Sequence, residues 1–238
     1  MNFKSMLKNK CIPISMINRN KIFFLIIITL TCFMPALLAQ QITQIKSSPP
    51  ISVELLLSNR GATFQNIISK DIRSIPRLGF FGVTNFVGEW QTNQVSDYMT
   101  QGSLTFELFK GLKLNAGFHL SNATGIRPSM GFIYSFANPV WLIVLNPRID
   151  LSARANFESL ALVEYKPRIS TAFTLYSRIQ LLYGETVNTS NHSRSYFFAR
   201  TGLTYREFTA GIGTNIDYYG PNRQNQNSFG GFLAVQLL

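Results

Sequence analysis

Apolar and polar residues alternate with a period of two along most of the chain beyond residue 50. In the segment 103–110, for example, Leu104 and Phe106 share one face and Ser103 and Thr105 share the other. The same alternation recurs in the segments 112–120, 129–136, 169–183, 197–206, 208–218 and 229–238. Such alternation predicts β-strands with one apolar and one polar face, and no segment shows the spacing of an amphipathic helix. The sequence is therefore predicted to be all-β.

The connections between these strands are predicted to alternate between short and long. The short ones fall at 110–111, 137–139, 166–167 and 206–207, and the long polar ones at 91–102, 121–128, 147–158, 184–194 and 220–228. Short periplasmic turns and long external loops are typical of barrels in the bacterial outer membrane. The pattern predicts an antiparallel, up-and-down transmembrane β-barrel over residues 51–238.

The predicted number of strands depends on residues 51–75. Counting from about Pro76 gives ten strands, an even number as single-chain bacterial barrels require. A hairpin that turns at Asn59, Arg60 and Gly61 would raise the number to twelve, whereas a plug or a short helix in the lumen would leave ten. The hairpin is favoured because it also keeps both chain ends on the periplasmic side.

Residues 1–39 have the three parts of a cleaved secretory signal peptide. Lys21 precedes an apolar run over 22–38, and Ala39 is the small residue at the predicted cleavage point. The stretch that begins at Met16 has the length of an ordinary signal, so Met16 is an alternative start. The polar residues 40–50 then form a periplasmic lead-in to the barrel.

Both cysteines, Cys11 and Cys32, lie in the predicted signal peptide. The mature chain would therefore contain none, which excludes a disulfide-stapled fold and a thiolate metal site. The sequence contains two histidines, His119 and His192, so a transition-metal site is not expected either. No cofactor is predicted.

Composition favours a membrane barrel over a soluble β-sandwich or a lipocalin-like barrel. Charged residues make up 14% of the chain, whereas a soluble surface is roughly 25–35% charged. The 20 Phe, 9 Tyr and 2 Trp suit the aromatic girdles of a membrane barrel. Five of the 22 basic residues lie in the leader and the others are spread along the chain, which argues against nucleic-acid binding. A soluble exported barrel that binds an apolar ligand is the alternative.

Two long stretches carry a resemblance to known proteins. They are VELLLSNRGATFQNII (53–68) and the pair EFTAGIGTNIDYYG (207–220) and SFGGFLAVQL (228–237). Together with the alternation and the leader, they resemble small outer-membrane β-barrel proteins of Gram-negative bacteria, within a group of uncharacterised exported barrel-like proteins. The resemblance implies an outer-membrane location, contact with outer-membrane lipid and insertion by the barrel-assembly machinery. Such barrels usually end in Phe, whereas this chain ends in Leu238.

Eight charged residues are predicted to face the lumen: Glu107, Lys113, Glu164, Arg168, Arg178, Arg200, Arg206 and Asp217. One interpretation is a ladder of ion pairs that fills a narrow barrel, because an unpaired charge is costly in a dry interior. The other is a constriction that selects anions, since arginines are in excess. The ladder is favoured because ten or twelve strands leave little open width.

Catalysis has only weak candidates. His119 and Ser121 share a face and suggest a hydrolase acting on lipid or peptide, but the acid in that hairpin, Glu107, lies roughly 16 Å away at the rise of a strand. Asp97 and His192 are the candidates for a protease at the outer rim, where paired aspartates are missing. We therefore expect a non-enzymatic barrel of structural or narrow-pore type that passes, at most, small solutes.

Overall fold

The computed structural model describes residues 49–72, 74–75, 77–91 and 95–237. The predicted signal peptide over 1–39 and most of the lead-in lie outside these residues, as do Pro76 and Leu238, so the expectations about them stay predictions. Within the described residues, no helix is long and apolar enough to cross a membrane.

Twelve antiparallel strands close into one barrel. In chain order they are β1 (Ile51–Ser58), β2 (Gly61–Asp71), β3 (Leu78–Glu89), β4 (Val95–Phe109), β5 (Leu112–Ser121), β6 (Gly125–Ala137), β7 (Trp141–Asp150), β8 (Asn156–Tyr165), β9 (Phe173–Thr186), β10 (Asn191–Tyr205), β11 (Phe208–Tyr219) and β12 (Gln224–Leu237). Each strand pairs with its neighbours in sequence, and β1 pairs with β12 to complete the ring. The predicted up-and-down barrel is confirmed.

The residues that left the strand number open, 51–75, contain the hairpin of β1 and β2. Ser58 holds its turn, because the Ser58 hydroxyl accepts hydrogen bonds from the N–H groups of Arg60 and Gly61 at 3.3 and 3.2 Å. The barrel therefore has twelve strands rather than ten, and the alternatives of a plug or a short helix at 51–75 are wrong.

The barrel has two ends, which we name by the chain termini. The terminal end contains Ile51, Leu237, the last residues of β2 and the first of β3, and the turns 110–111, 138–140, 166–172 and 206–207. The distal end contains the last residues of β3, the first of β4, and the connections 59–60, 122–124, 151–155, 187–190 and 220–223. The predicted alternation of short turns with long loops is wrong, because strands continue through polar segments that the sequence pattern assigned to loops. The main-chain hydrogen bonds of a strand form equally well at polar residues that face the lumen and at apolar residues.

The outer face of the barrel is apolar. Exposed side chains on it include Leu104, Phe106, Phe132, Ile179, Leu181, Phe197, Leu203, Ile212 and Leu233. The residues between them point inward and are buried, among them Gln101, Thr105, Asn115, Arg178, Gln180, Arg200 and Asn215. A soluble sheet protein hides its apolar face, whereas a closed sheet that exposes an apolar band is suited to a lipid bilayer.

Aromatic side chains group near the strand ends. At the terminal end, the ring centroids of Trp141 and Tyr165 are 4.5 Å apart, and those of Phe173 and Tyr205 are 5.5 Å apart. At the distal end, exposed Trp90 donates its indole N–H to a backbone carbonyl. Tyr and Trp side chains combine an apolar ring with a polar group. Their presence at both ends of the strands is typical of the aromatic girdles of a membrane barrel.

Candidate functional site in the barrel lumen

The middle of the lumen is crossed by one carboxylate held between two arginines. Glu54 on β1 accepts hydrogen bonds from Arg178 Nη2 on β9 at 2.9 Å and from Arg200 Nε on β10 at 2.8 Å. All three side chains are buried. Because β11 and β12 separate β1 from β10 in the sheet, these bonds pass through the interior rather than along the wall.

A glycine on the adjacent strand makes room for this cluster. Gly213 on β11 lies opposite Arg200, and a Cβ atom at Gly213 would lie 2.5 Å from Arg200 Cδ. The arginine then turns its guanidinium toward Glu54, while its Nη1 donates to the carbonyls of Ala199 and Thr214 at 2.9 and 3.0 Å. The glycine thus allows the buried cation to satisfy its donors with main-chain oxygens as well as with a carboxylate.

Toward the terminal end, the charges pair near the wall. Glu164 accepts hydrogen bonds from the Tyr176 hydroxyl at 2.9 Å and from Lys166 Nζ at 2.8 Å. Lys113 Nζ donates to Asp71 Oδ1 at 2.6 Å. The contact of Glu164 with Tyr176 joins neighbouring strands and lines the wall, whereas the pair of Lys113 on β5 and Asp71 on β2 spans β3 and β4.

Toward the distal end, one arginine bridges the full width of the barrel. Arg194 on β10 lies 3.1 Å from Asp97 Oδ2 on β4 and 3.0 Å from Asp217 Oδ1 on β11. Five strands separate β4 from β10 in either direction around the ring, so the two walls are opposite. The Tyr219 hydroxyl completes the bridge, since it accepts from Arg194 and donates to Asp97, both at 2.9 Å. We call these four side chains the distal bridge.

A second distal cluster surrounds Arg148 on β7. Its guanidinium donates to Asp150 at 2.6 Å and to Glu158 at 2.5 Å. His119 and Arg127 approach the same aspartate, each with a nitrogen 3.9 Å from Asp150 Oδ2. Arg148 binds two carboxylates and Arg127 approaches one of them, which offsets part of the cost of burying these charges.

Apolar side chains fill the space between the charged clusters. The rings of Tyr196 and Phe198 stack with centroids 4.1 Å apart, and Leu160 and Leu182 pack with them. A lumen cavity beside this cluster measures about 10 Å³, which is room for about one water molecule.

The eight residues predicted to face the lumen divide into two groups. The structure places Glu107, Lys113, Glu164, Arg178, Arg200 and Asp217 on inward positions of strands. Arg168 and Arg206 are instead exposed in terminal-end turns. Arg168 binds the carbonyls of Ser170 and Thr171, and Arg206, at φ 54°, stacks on the Tyr205 ring. Both residues lie beyond the ends of the strands. The alternation of inward and outward side chains does not hold there, because turn geometry sets the direction of a side chain.

Sequence reasoning missed seven charged residues that form ion pairs inside the barrel: Glu54, Asp71, Asp97, Arg148, Asp150, Glu158 and Arg194. Most of them lie in segments that were assigned to loops. Glu54 had a usable signal, because it alternates with apolar Val53 and Leu55 in β1. The contact between Glu54 and Arg200 links residues far apart in sequence, and a period of two carries no information about such pairs.

The candidates for catalysis do not assemble as the sequence suggested. Ser121 Oγ bonds to Thr124 Oγ1 at 2.8 Å, while the imidazole of His119 lies in the Arg148 cluster. Asp97 and His192 also separate, since Asp97 belongs to the distal bridge inside the lumen and His192 bonds to Ser195 and Gly220. No group of three His, Cys, Asp or Glu in the described residues is arranged to hold a metal ion.

No protein-family model matches the sequence, and no curated protein matches it. The barrel resembles solved outer-membrane barrels. The NanC porin is 13% identical, with a TM-score of 0.46 over 79% of this chain and 100% of the porin. The KdgM porin is 11% identical, with a TM-score of 0.42 over 79% and 99%. LpxR from Salmonella typhimurium is 6% identical, with a TM-score of 0.38 over 79% and 99%. The likeness concerns barrel architecture and carries nothing about ligands.

Proposed function

We propose that the protein is an outer-membrane β-barrel of structural or narrow-pore type, whose lumen is held nearly closed by buried ion pairs. The observation that carries this proposal is the distal bridge, in which Arg194 binds Asp97 on the opposite wall. A side-chain bridge across the diameter obstructs passage in a way that pairs between neighbouring strands do not. Conduction then requires the bridge to open or to leave a narrow path beside it.

The outer face supports the membrane part of the proposal. Its exposed apolar band needs lipid around it, because water contact with so much apolar surface favours association. A soluble barrel that carries an apolar ligand would place apolar residues around an internal cavity and charges outside. In this barrel the charged side chains lie in the lumen and the apolar side chains lie on the outer face. Outer-membrane lipid and the barrel-assembly machinery are the partners that this arrangement implies.

The pairing of the lumen arginines supports restricted passage rather than selection of anions. Arg148, Arg178, Arg194 and Arg200 each bind at least one carboxylate inside the barrel. Arg178 and Arg200 share the single carboxylate of Glu54, but Arg148 and Arg194 each lie between two carboxylates. The positive and negative charges therefore nearly cancel, and their summed field attracts a passing anion only weakly. Any path through this lumen would therefore suit small polar solutes without a strong preference for charge.

A catalytic site in the lumen has little support. His119 and Ser121 are the weak candidates, yet Ser121 is bonded to Thr124 and the nearest carboxylate to His119 is 3.9 Å away. A nucleophile must lie within hydrogen-bond reach of its base. The lumen is better interpreted as non-enzymatic.

Electrophoresis of isolated membranes tests the location and the closed barrel together. We expect the protein in the outer-membrane fraction, with faster migration in a denaturing gel before boiling than after it. Recovery in the soluble periplasmic fraction with no heat-dependent shift would contradict the proposal and would favour the soluble ligand-binding barrel.

A further inference from the structure

A serine and a histidine form a hydrogen-bonded pair on the outer wall at the distal end. His192 Nε2 lies 2.9 Å from Ser195 Oγ, and His192 Nδ1 lies 2.7 Å from the carbonyl oxygen of Gly220. A carbonyl only accepts, so Nδ1 carries the proton and Nε2 of the neutral ring accepts from the Ser195 hydroxyl. This is the tautomer that a general base needs in order to activate a serine.

A strand irregularity brings the two side chains to one side. Residues three apart in a regular strand point to opposite faces. The register of β10 against β9 shifts between His192 and Arg194, and the extra residue of a bulge puts His192 and Ser195 on the same face. Ser193 points inward instead, since a Cβ atom at Gly184 would lie 2.7 Å from Ser193 Oγ.

The Gly220 carbonyl is held in place to orient the imidazole. Gly220 has φ +68°, a left-handed conformation that favours glycine. Its N–H donates to the Ser193 carbonyl at 2.8 Å, and its own carbonyl also accepts from the Arg223 N–H at 3.0 Å. A fixed acceptor on Nδ1 is the part that a carboxylate plays in a Ser-His-Asp triad.

The surroundings of the pair indicate the substrate. Ser195 lies between Tyr183 and Tyr218 on the neighbouring strands, and the next outward residue on β10 is exposed Phe197. The Tyr183 ring meets His192 edge-on with centroids 6.2 Å apart. Aromatic residues at a strand end mark the membrane interface, where the ester groups of lipids lie.

We propose that Ser195 and His192 form an esterase site on the outer wall, with the fatty-acyl esters of membrane lipids as the substrate class. Ser195 Oγ attacks the ester carbonyl carbon while its proton passes to His192 Nε2. The bond to the alcohol oxygen then breaks, and Nε2 returns the proton to that oxygen. Water hydrolyses the acyl-serine in the same way, which releases a fatty acid and regenerates Ser195. The lumen plays no part in this chemistry.

Covalent labelling of the folded, detergent-solubilised barrel tests the site. An alkyl fluorophosphonate should form an adduct on Ser195, identified by mass spectrometry, and the protein should release fatty acid from vesicles of phosphatidylethanolamine and phosphatidylglycerol. Ser195→Ala should abolish both readouts. His192→Gln should slow labelling by about a hundredfold or more, the usual contribution of a positioned base.

Ser177→Ala is the matched control, since Ser177 is also an outward serine, between inward Tyr176 and Arg178 on β9, and its partners on the neighbouring strands are Thr201 and Tyr165 rather than a histidine. It should label on Ser195 at the wild-type rate. Each variant is first checked for the faster migration of the unboiled, folded barrel. A folded wild-type protein without a Ser195 adduct, or an adduct that forms equally fast in His192→Gln, would overturn the esterase site and leave the barrel proposal intact. Loss of the folded band in the wild type would instead contradict the barrel.

Discussion

Arg194 on β10 and Asp97 on β4 join opposite walls of the barrel, with Nη1 and Oδ2 3.1 Å apart. Tyr219 reinforces the pair with a bond to each partner, and the Arg194 guanidinium also lies over the Tyr219 ring, 4.7 Å from its centroid. A contact of this kind both braces the barrel and narrows it. The stability of the barrel and the passage of solutes through it should therefore both respond to these buried charges.

Glu54→Gln should destabilise the barrel strongly. The substitution leaves Arg178 and Arg200 buried beside each other without the carboxylate that they share. Removal of one partner from a buried ion pair costs about 3–5 kcal/mol, and we expect a loss of that order in the free energy of unfolding by urea in micelles.

The control for this variant is Glu89→Gln. Glu89 pairs with Arg60 at 2.7 Å at the distal end, but 28% and 35% of the two side chains are exposed. An exposed pair contributes roughly 0–1 kcal/mol. Equal losses in the Glu54 and Glu89 variants would show that the central cluster does not act as a buried unit.

Gly213→Ala should also destabilise the barrel, although it changes no charge. The added methyl group would lie 2.5 Å from Arg200 Cδ, so the arginine must leave Glu54 or the strand must shift. Overpacking of this kind costs about 1–3 kcal/mol. Gly88→Ala, at a position where a Cβ atom would meet nothing within 4 Å, should leave the urea midpoint nearly unchanged. A comparable shift for both alanines would contradict this assignment for Gly213.

The two ends should differ in accessibility from outside the cell. The predicted mature chain contains no cysteine, so a maleimide that reacts with an introduced cysteine meets no native thiol. Thr189→Cys in a distal connection should react with a membrane-impermeant maleimide on intact cells, whereas Ala172→Cys in a terminal-end turn should react only after lysis. The reverse pattern would place the chain termini outside the cell and contradict the expectation from the sequence that both chain ends lie on the periplasmic side.

The fold was largely predictable from the sequence, and the lumen was only partly so. In segments such as 103–110, apolar residues alternate with polar ones because one face of the barrel wall contacts lipid and the other faces the lumen. This alternation predicted the strands and the turn at Gly111. The charged interior depends on pairs such as Glu54 with Arg200, which come together only when the ring closes. The pair of His192 and Ser195 depends on a bulge, which a strict period of two cannot reveal.

Conductance in planar bilayers tests most directly whether buried ion pairs hold the lumen nearly closed. The variant Asp97→Ser/Arg194→Ser/Asp217→Ser removes both signs of charge from the distal bridge, which avoids an unpaired buried ion. The control Arg60→Ser/Glu89→Ser removes a pair between the turn after β1 and the end of β3. We predict very low conductance for the wild type and the control, and a rise of several-fold for the triple variant. Equal conductance in all three proteins would contradict the account.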